Sequence, residues 1–150
     1  MTTQLRLGRD DWSAHGKHKG LIVHDSDPPN AEPPLALLGR EFLTPCELFY
    51  VRSHGTVPEV DASQWRLAVD GLVNQELSLS LPELRERFPR RTVIAALHCA
   101  GNRRLELMDV NEIPDEAPWR EGALGTAEWT GVALREVLQA AGLEDGAAHV

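Results

Sequence analysis

The run Thr92-Val93-Ile94-Ala95-Ala96-Leu97 is the most continuously apolar stretch of the chain, and it stops at His98-Cys99-Ala100-Gly101-Asn102-Arg103-Arg104. Its length and β-branched start predict a buried central strand. The end of such a strand is a usual place for functional groups held by a rigid scaffold. Here that end carries one thiol, one glycine and two guanidinium groups. A cysteine thiolate can bind a soft or high-valent metal, and arginines can hold an anion beside it. A lone cysteine after an apolar strand is more often buried and inert. Two features tip the balance: Gly101 lets backbone approach a ligand closely, and Arg103-Arg104 place positive charge beside the thiol. Spacing alone leaves both a metal ligand and a nucleophile open.

The chain has 150 residues, enough for one compact domain. Its 42% hydrophobic and 25% charged content are ordinary for a globular protein. A formal charge of −8 argues against nucleic acid as a partner, because no basic excess exists to neutralise phosphates. The same charge opposes anions in general, so an anionic substrate needs local arginine clusters, and Arg52 and Arg103-Arg104 supply them. Cys46 and Cys99 are the two cysteines, read as a reduced pair rather than a disulfide framework. With no apolar stretch of signal-peptide length, no twin arginine near the start and no candidate membrane span, a cytoplasmic protein without a membrane partner is expected.

Residues 1–40 read as an extended or flexible N-terminal arm. They hold scattered histidines and Pro28, Pro29, Pro33 and Pro34, which exclude helix. The irregular histidine spacing favours solvated or hydrogen-bonded rings over metal ligands. Order is expected from Thr44. Thr44-Pro45-Cys46-Glu47 is a capping box, predicting a short helix from Pro45 to about Tyr50. Trp65 to Val69 alternates as a half-buried strand ending in an Asp70-Gly71 turn, and Leu77-Ser78-Leu79 reads as a second strand. Ser80-Leu81-Pro82-Glu83 is another capping box, opening a helix to about Phe88 that Pro89 stops. Gly131 to Ala141 has helical spacing, with Gly142 suited to its end. Ala147 to Val150 looks like the start of a further strand.

Other candidate residues have ordinary readings beside functional ones. Arg52 and His54 lie in a loop, where a solvated arginine competes with an anion clamp that has a histidine donor. Trp119 and Trp129 suit core or rim packing. Asp109, Glu112, Asp115 and Glu116 read as a solvated acidic face.

Several segments together resemble the sulfite oxidase family of molybdopterin-binding oxidoreductases, in its haem-free plant-like or bacterial type. Phe49-Tyr50-Val51-Arg52-Ser53-His54-Gly55-Thr56-Val57-Pro58 resembles that family's Arg-Asn-His segment. Leu97 to Arg104 resembles its Cys-Ala-Gly-Asn-Arg-Arg metal-ligand loop, and Pro118-Trp119 with Gly122 to Leu134 resembles its Trp…Gly-Ala…Trp-x-Gly stretch. Asn30-Ala31-Glu32-Pro33-Pro34 is similar to its approach segment. The resemblance runs from about residue 28 to the end. It implies an α+β, β-rich mixed fold, with residues 41–150 forming the N-terminal part of the molybdopterin-binding domain, and a truncated chain. It also implies a molybdenum–molybdopterin cofactor, with Cys99 as the protein thiolate on the metal and Tyr50, Arg52 and His54 as cofactor-binding residues. Arg52, Arg104 and Trp119 would form the catalytic oxyanion pocket. The implied reaction is oxidation of sulfite to sulfate by two-electron transfer to molybdenum, the electron acceptor being left open. A homodimer is implied for the full-length parent. A nitrate reductase-type domain shares these motifs, and a non-catalytic remnant acting as a binding module is the reading from another class. A hydrolase using Cys99 as nucleophile ranks last. Ser53 stands where the family has asparagine, and His98 where it has glutamine.

Overall fold

A computed structural model describes residues 12–149. The fold is mixed α+β, with short helices and small antiparallel sheets in two compact units. Among the described residues, unit 1 comprises 12–59 and 94–128, and unit 2 comprises 60–93 and 129–149.

In unit 1, strands β1 (Ile22–Ser26), β2 (Pro29–Glu32) and β3 (Val51–Arg52) form a sheet with β2 at its centre, and a one-turn helix α1 (Leu35–Leu38) follows Pro34, where helix was not expected. The prolines flanking β2 do not prevent pairing, because the residues between them supply the ladder. Ala31 stands opposite Val23 on one side and Val51 on the other, and Asn30 stands opposite Arg52. All four residues of β2 are buried. Trp12, Leu21 and Ala31 make a small core, with Val51 against it. The expected arm over 1–40 is therefore, from Ile22 to Glu32, an antiparallel pair inside unit 1; its first eleven residues lie outside the described part. Composition misled because the segment borrows its apolar cover from elsewhere in the chain.

The capping box at Thr44 does not form. The Thr44 hydroxyl accepts from Thr126 N–H at 3.1 Å, and Thr44 N–H donates to the Thr126 carbonyl at 2.8 Å. The predicted helix over Pro45 to Tyr50 is a single turn closed by Leu48 and Phe49 N–H groups on the Pro45 carbonyl. Lys17 caps it, donating from Nζ to the carbonyls of Cys46 (2.6 Å) and Phe49 (3.0 Å). A strand outcompeted the helix for the threonine side chain.

Among the described residues, unit 2 contains the larger core. Strands β4 (Arg66–Val69) and β5 (Leu77–Ser80) pair as expected, and helix α2 (Leu81–Arg87) opens on the Ser80–Glu83 capping box. Glu83 accepts from Ser80 N–H at 2.8 Å while the Ser80 hydroxyl accepts from Glu83 N–H at 3.3 Å. Leu77, Leu79, Leu84 and Phe88 pack with Val137 and Ala141 of α4 (Leu134–Ala141). The helix begins three residues later than its spacing suggested, and Gly142 ends it with φ +71°. Residues 147–149 are not in a strand. Among the described residues, no helix is long and apolar enough to cross a membrane.

The chain passes between the units within β6 (Arg90–His98) and again within β7 (Leu124–Val132), which pair with each other. The expected burial of this strand is not found. The apolar run is a strand, but β6 is exposed along its whole length, with Val93 at 57% and Ile94 at 56%. A two-stranded sheet lacks the neighbouring strands and covering layers that bury a central strand.

Leu79, fully buried, should lose about 2–5 kcal/mol on substitution by alanine in urea unfolding. Leu72→Ala, at a half-exposed position of the same unit, should stay within about 0.5 kcal/mol.

Candidate functional site

The end of β6 is joined to the residues before β7 by a ladder of backbone hydrogen bonds. Cys99 N–H donates to Ala123 O (2.9 Å), Arg103 N–H to Arg120 O (2.6 Å), and Leu105 N–H to Trp119 O (2.9 Å). Asn102 Oδ1 accepts from Ala123 N–H at 2.9 Å. Within the loop, Asn102 N–H donates to Cys99 O and Arg104 N–H to Gly101 O. Arg103 takes a left-handed conformation (φ 66°) that turns the chain into helix α3 (Arg104–Met108). A positive φ costs a non-glycine residue of order 1–3 kcal/mol, and the bonds on either side hold it there.

Cys99 is part-buried and free, and its Sγ accepts from Gly101 N–H at 3.4 Å. Gly101 is needed for space. A Cβ there would lie 2.7 Å from the Arg104 guanidinium and 3.0 Å from Trp119 Cδ1. Cysteine loop, arginine and tryptophan therefore meet at one residue without a side chain. Trp119 is fully buried, and its indole N–H has no hydrogen-bond partner. Tyr50 stands edge-on to Trp119 at 6.4 Å and stacks on Phe49 at 5.5 Å. Burial, and then the charge of Cys99, pushes the Tyr50 hydroxyl above its usual pKa.

Arg104 Nη1 pairs with Glu116 Oε2 at 2.7 Å and donates to Ala117 O at 3.1 Å. The acidic run read as solvated thus contributes one carboxylate to this neighbourhood. Arg103 is exposed and pairs with Glu106 three residues on. Among the described residues, no group of three or more His, Cys, Asp or Glu gathers as a metal cage.

Arg52 and His54 are exposed, at and just beyond the end of β3. Arg52 donates through Nη2 to His54 Nδ1 (2.9 Å) and through Nη1 to the Ser53 carbonyl and to Asn30 Oδ1 (3.4 Å). Ser53 N–H donates to the same Asn30 oxygen at 3.0 Å. The expected site residues thus fall into two groups of unit 1: Tyr50, Cys99, Arg104 and Trp119 are linked around Gly101 or through Tyr50, whereas Arg52 and His54 are paired with each other. No hydrogen bond or ion pair joins the two groups directly among the described residues.

Sequence reasoning missed the buried polar residues behind them. Glu32 is fully buried and accepts from Arg120 N–H (2.7 Å), Gly122 N–H (2.6 Å) and His24 Nε2 (2.7 Å). His24, read as solvated or simply hydrogen-bonded, is only 5% exposed at its side chain and meets the Trp119 ring edge-on at 5.0 Å. It is the extra residue of a β-bulge, since Val23 faces Ala31 while Asp25 faces Asn30. Bulges re-aim side chains in this way. Polar residues at alternate positions of a short segment were the only signal, and nothing local reveals their burial.

Burial alone would raise the Glu32 pKa, but the His24 and backbone donors outweigh it and hold the carboxyl below its usual range. Stability from ionised Glu32 is therefore complete above the ordinary glutamate pKa of about 4.3 and fades as pH falls through the lower folded value. Urea melts from pH 3 to 7 should show Glu32→Gln less stable by roughly 1–3 kcal/mol at neutral pH, with the gap to wild type narrowing only in acid. Gly122→Ala should cost more than Gly101→Ala. Its Cβ would sit 2.2 Å from the Pro33 backbone carbonyl, whereas at Gly101 the movable end of Arg104 takes up part of the strain. Paired unfolding curves check the order.

The oxidoreductase molybdopterin binding domain family matches residues 54–150. Sulfite oxidase of Gallus gallus is 50% identical over 89% of this chain and 30% of its own length. The mitochondrial sulfite oxidase of Homo sapiens is 44% identical over 89% of this chain and 25% of its own. The NADH nitrate reductase of Brassica napus is 38% identical, also over 89% of this chain and 15% of its own. The chain thus spans no more than about a third of the curated relatives it matches. Among solved structures, the sulfane dehydrogenase SoxCD of Paracoccus pantotrophus shares the fold, with a TM-score of 0.68 at 23% identity over 97% of this chain and 37% of that one. The cysteine loop and its tryptophan, joined around a glycine, lie within the matched span, and the chain belongs to the family of molybdopterin-binding oxidoreductase domains, whose cofactor is molybdenum–molybdopterin.

Proposed function

We propose that this chain supplies the cysteine-bearing part of a molybdenum–molybdopterin site that oxidises sulfite to sulfate. The observation that carries the reading is the junction at Gly101, where a thiol-bearing loop, a guanidinium and a buried indole meet with no room for a Cβ. The residues fit the cofactor. The buried Trp119 N–H lacks an acceptor, a deficit of roughly 1–3 kcal/mol that a polar ligand would remove. Cys99 Sγ already accepts a backbone N–H, which suits a thiolate that carries charge.

When bound, the cofactor supplies two-electron redox chemistry at molybdenum. In this reading the chain's residues hold part of the cofactor and of the anion. Cys99 holds the metal through its thiolate, and Tyr50 and His54 contact the pterin. Tyr50 keeps its hydroxyl proton, because burial and the nearby Cys99 both oppose its loss, so it serves as a donor. Arg52 and Arg104 bind the oxyanion through guanidinium forks. Glu116 and the Ala117 carbonyl engage Nη1 of Arg104, and in this reading its remaining N–H groups are the ones that bind the oxyanion. Trp119 keeps water from that side of the pocket.

Sulfite is favoured by the 50% identity to the chicken sulfite oxidase over the 38% identity to the Brassica napus nitrate reductase. Nitrate is the second reading, because that relative covers the same share of the chain.

Molybdenum per polypeptide, measured in the longest natural chain containing these residues and made in a host that synthesises the cofactor, tests the reading. Near-stoichiometric metal lost in Cys99→Ser is the expected result. Arg104→Met should then lower kcat/KM for sulfite by on the order of 10- to 150-fold, the worth of a charged hydrogen bond of about 1.5–3 kcal/mol. Metal retained in Cys99→Ser, or nitrate turned over in preference to sulfite, would refute the corresponding part.

A further inference from the structure

Asn30 and Glu32 lie two apart on β2 and so point to the same face of the central strand, both buried. Each makes its contacts with backbone that carries a candidate site residue. Asn30 Oδ1 takes the Ser53 N–H and the Arg52 guanidinium, while Asn30 Nδ2 is anchored on Pro28 O at 3.1 Å. Glu32 takes the N–H groups of Arg120 and Gly122, the turn immediately after Trp119, and the imidazole of His24 that packs on the Trp119 ring. Ionised carboxylate only accepts, so His24 Nε2 carries the proton in this bond. Gly122 closes against the same strand so tightly that a Cβ would meet both Glu32 and Pro33.

We propose that Asn30 and Glu32 are positioning residues of the oxyanion pocket, one face of β2 setting the Arg52–Ser53 segment and the Trp119–Gly122 segment relative to each other. The two groups of site residues, which share no direct hydrogen bond, are thereby referred to one rigid strand. A buried side chain with two or three donors fixed on it has little freedom to drift. Small displacements at a charge-binding site reduce binding and rate steeply. Neither residue touches the substrate. This proposal rests on the sulfite reading only for the identity of the anion.

The test uses the longest natural chain with its cofactor, as wild type, Asn30→Ala and Glu32→Gln. Three quantities are read: amide hydrogen exchange at residues 53, 120 and 122, molybdenum content, and sulfate affinity by calorimetry. The expected result is faster exchange at 53 in Asn30→Ala and at 120 and 122 in Glu32→Gln. Molybdenum content should match wild type, sulfate Kd should rise about tenfold, and KM for sulfite should rise more than kcat falls. If Glu32→Gln does not fold, His24→Gln removes the imidazole from both carboxylate and Trp119 while leaving the backbone bonds, and should raise sulfate Kd in the same direction. Sulfate Kd within twofold of wild type in these variants, with the turns loosened, would overturn the proposal and leave a purely structural role. Wild-type protein that binds sulfate but does not oxidise sulfite would overturn the sulfite reading alone. Wild-type protein that holds molybdenum but binds no sulfate would overturn both.

Discussion

The carboxylate of Glu32 is the interaction on which unit 1 depends. A buried charge is tolerated only when donors surround it, and Glu32 has two backbone N–H groups and an imidazole. Those partners lie 88 and 90 residues further along the chain, or across a bulge on the neighbouring strand. Satisfying one side chain therefore brings β1, β2 and the 120–122 turn together. The turn in turn carries Trp119 to the Cys99 loop.

The same logic accounts for the uneven character of the candidate site. Around Gly101 the groups are buried or part-buried, and a Cβ there would crowd Arg104 and Trp119. Around Arg52 they are exposed, held by one asparagine and one histidine. The buried or part-buried group carries the thiol and one arginine, and the exposed group carries the other arginine and a histidine. Against an overall charge of −8, Arg52 and Arg104 are local positive groups, and Glu116 offsets Arg104 on one side.

Much was legible without coordinates where the deciding bonds are local. Ser80 and Glu83 satisfy each other within one helical turn, so their capping box formed as read. Thr44 and Glu47 have the same spacing, yet the threonine went to Thr126, because a strand edge offered it both a donor and an acceptor. The apolar run ending at Cys99 was rightly a strand, but its burial depended on what lies beside it, and β7 alone does not cover it.

Local elements and the chemical vocabulary were written in the linear pattern: the capped helix over 81–87, the alternating strands before it, and a thiol followed by glycine and two arginines at a strand end. These depend on bonds and periodicities that span a few residues, which a linear reading can follow. Packing in three dimensions made the proline-rich segment before residue 40 a buried central strand, paired His24 with Glu32 beside Trp119, and brought Arg104 and Trp119 together at Gly101. A buried polar group takes whatever partner the fold brings to it, and a segment's burial is set by its neighbours in space, neither of which its own residues record.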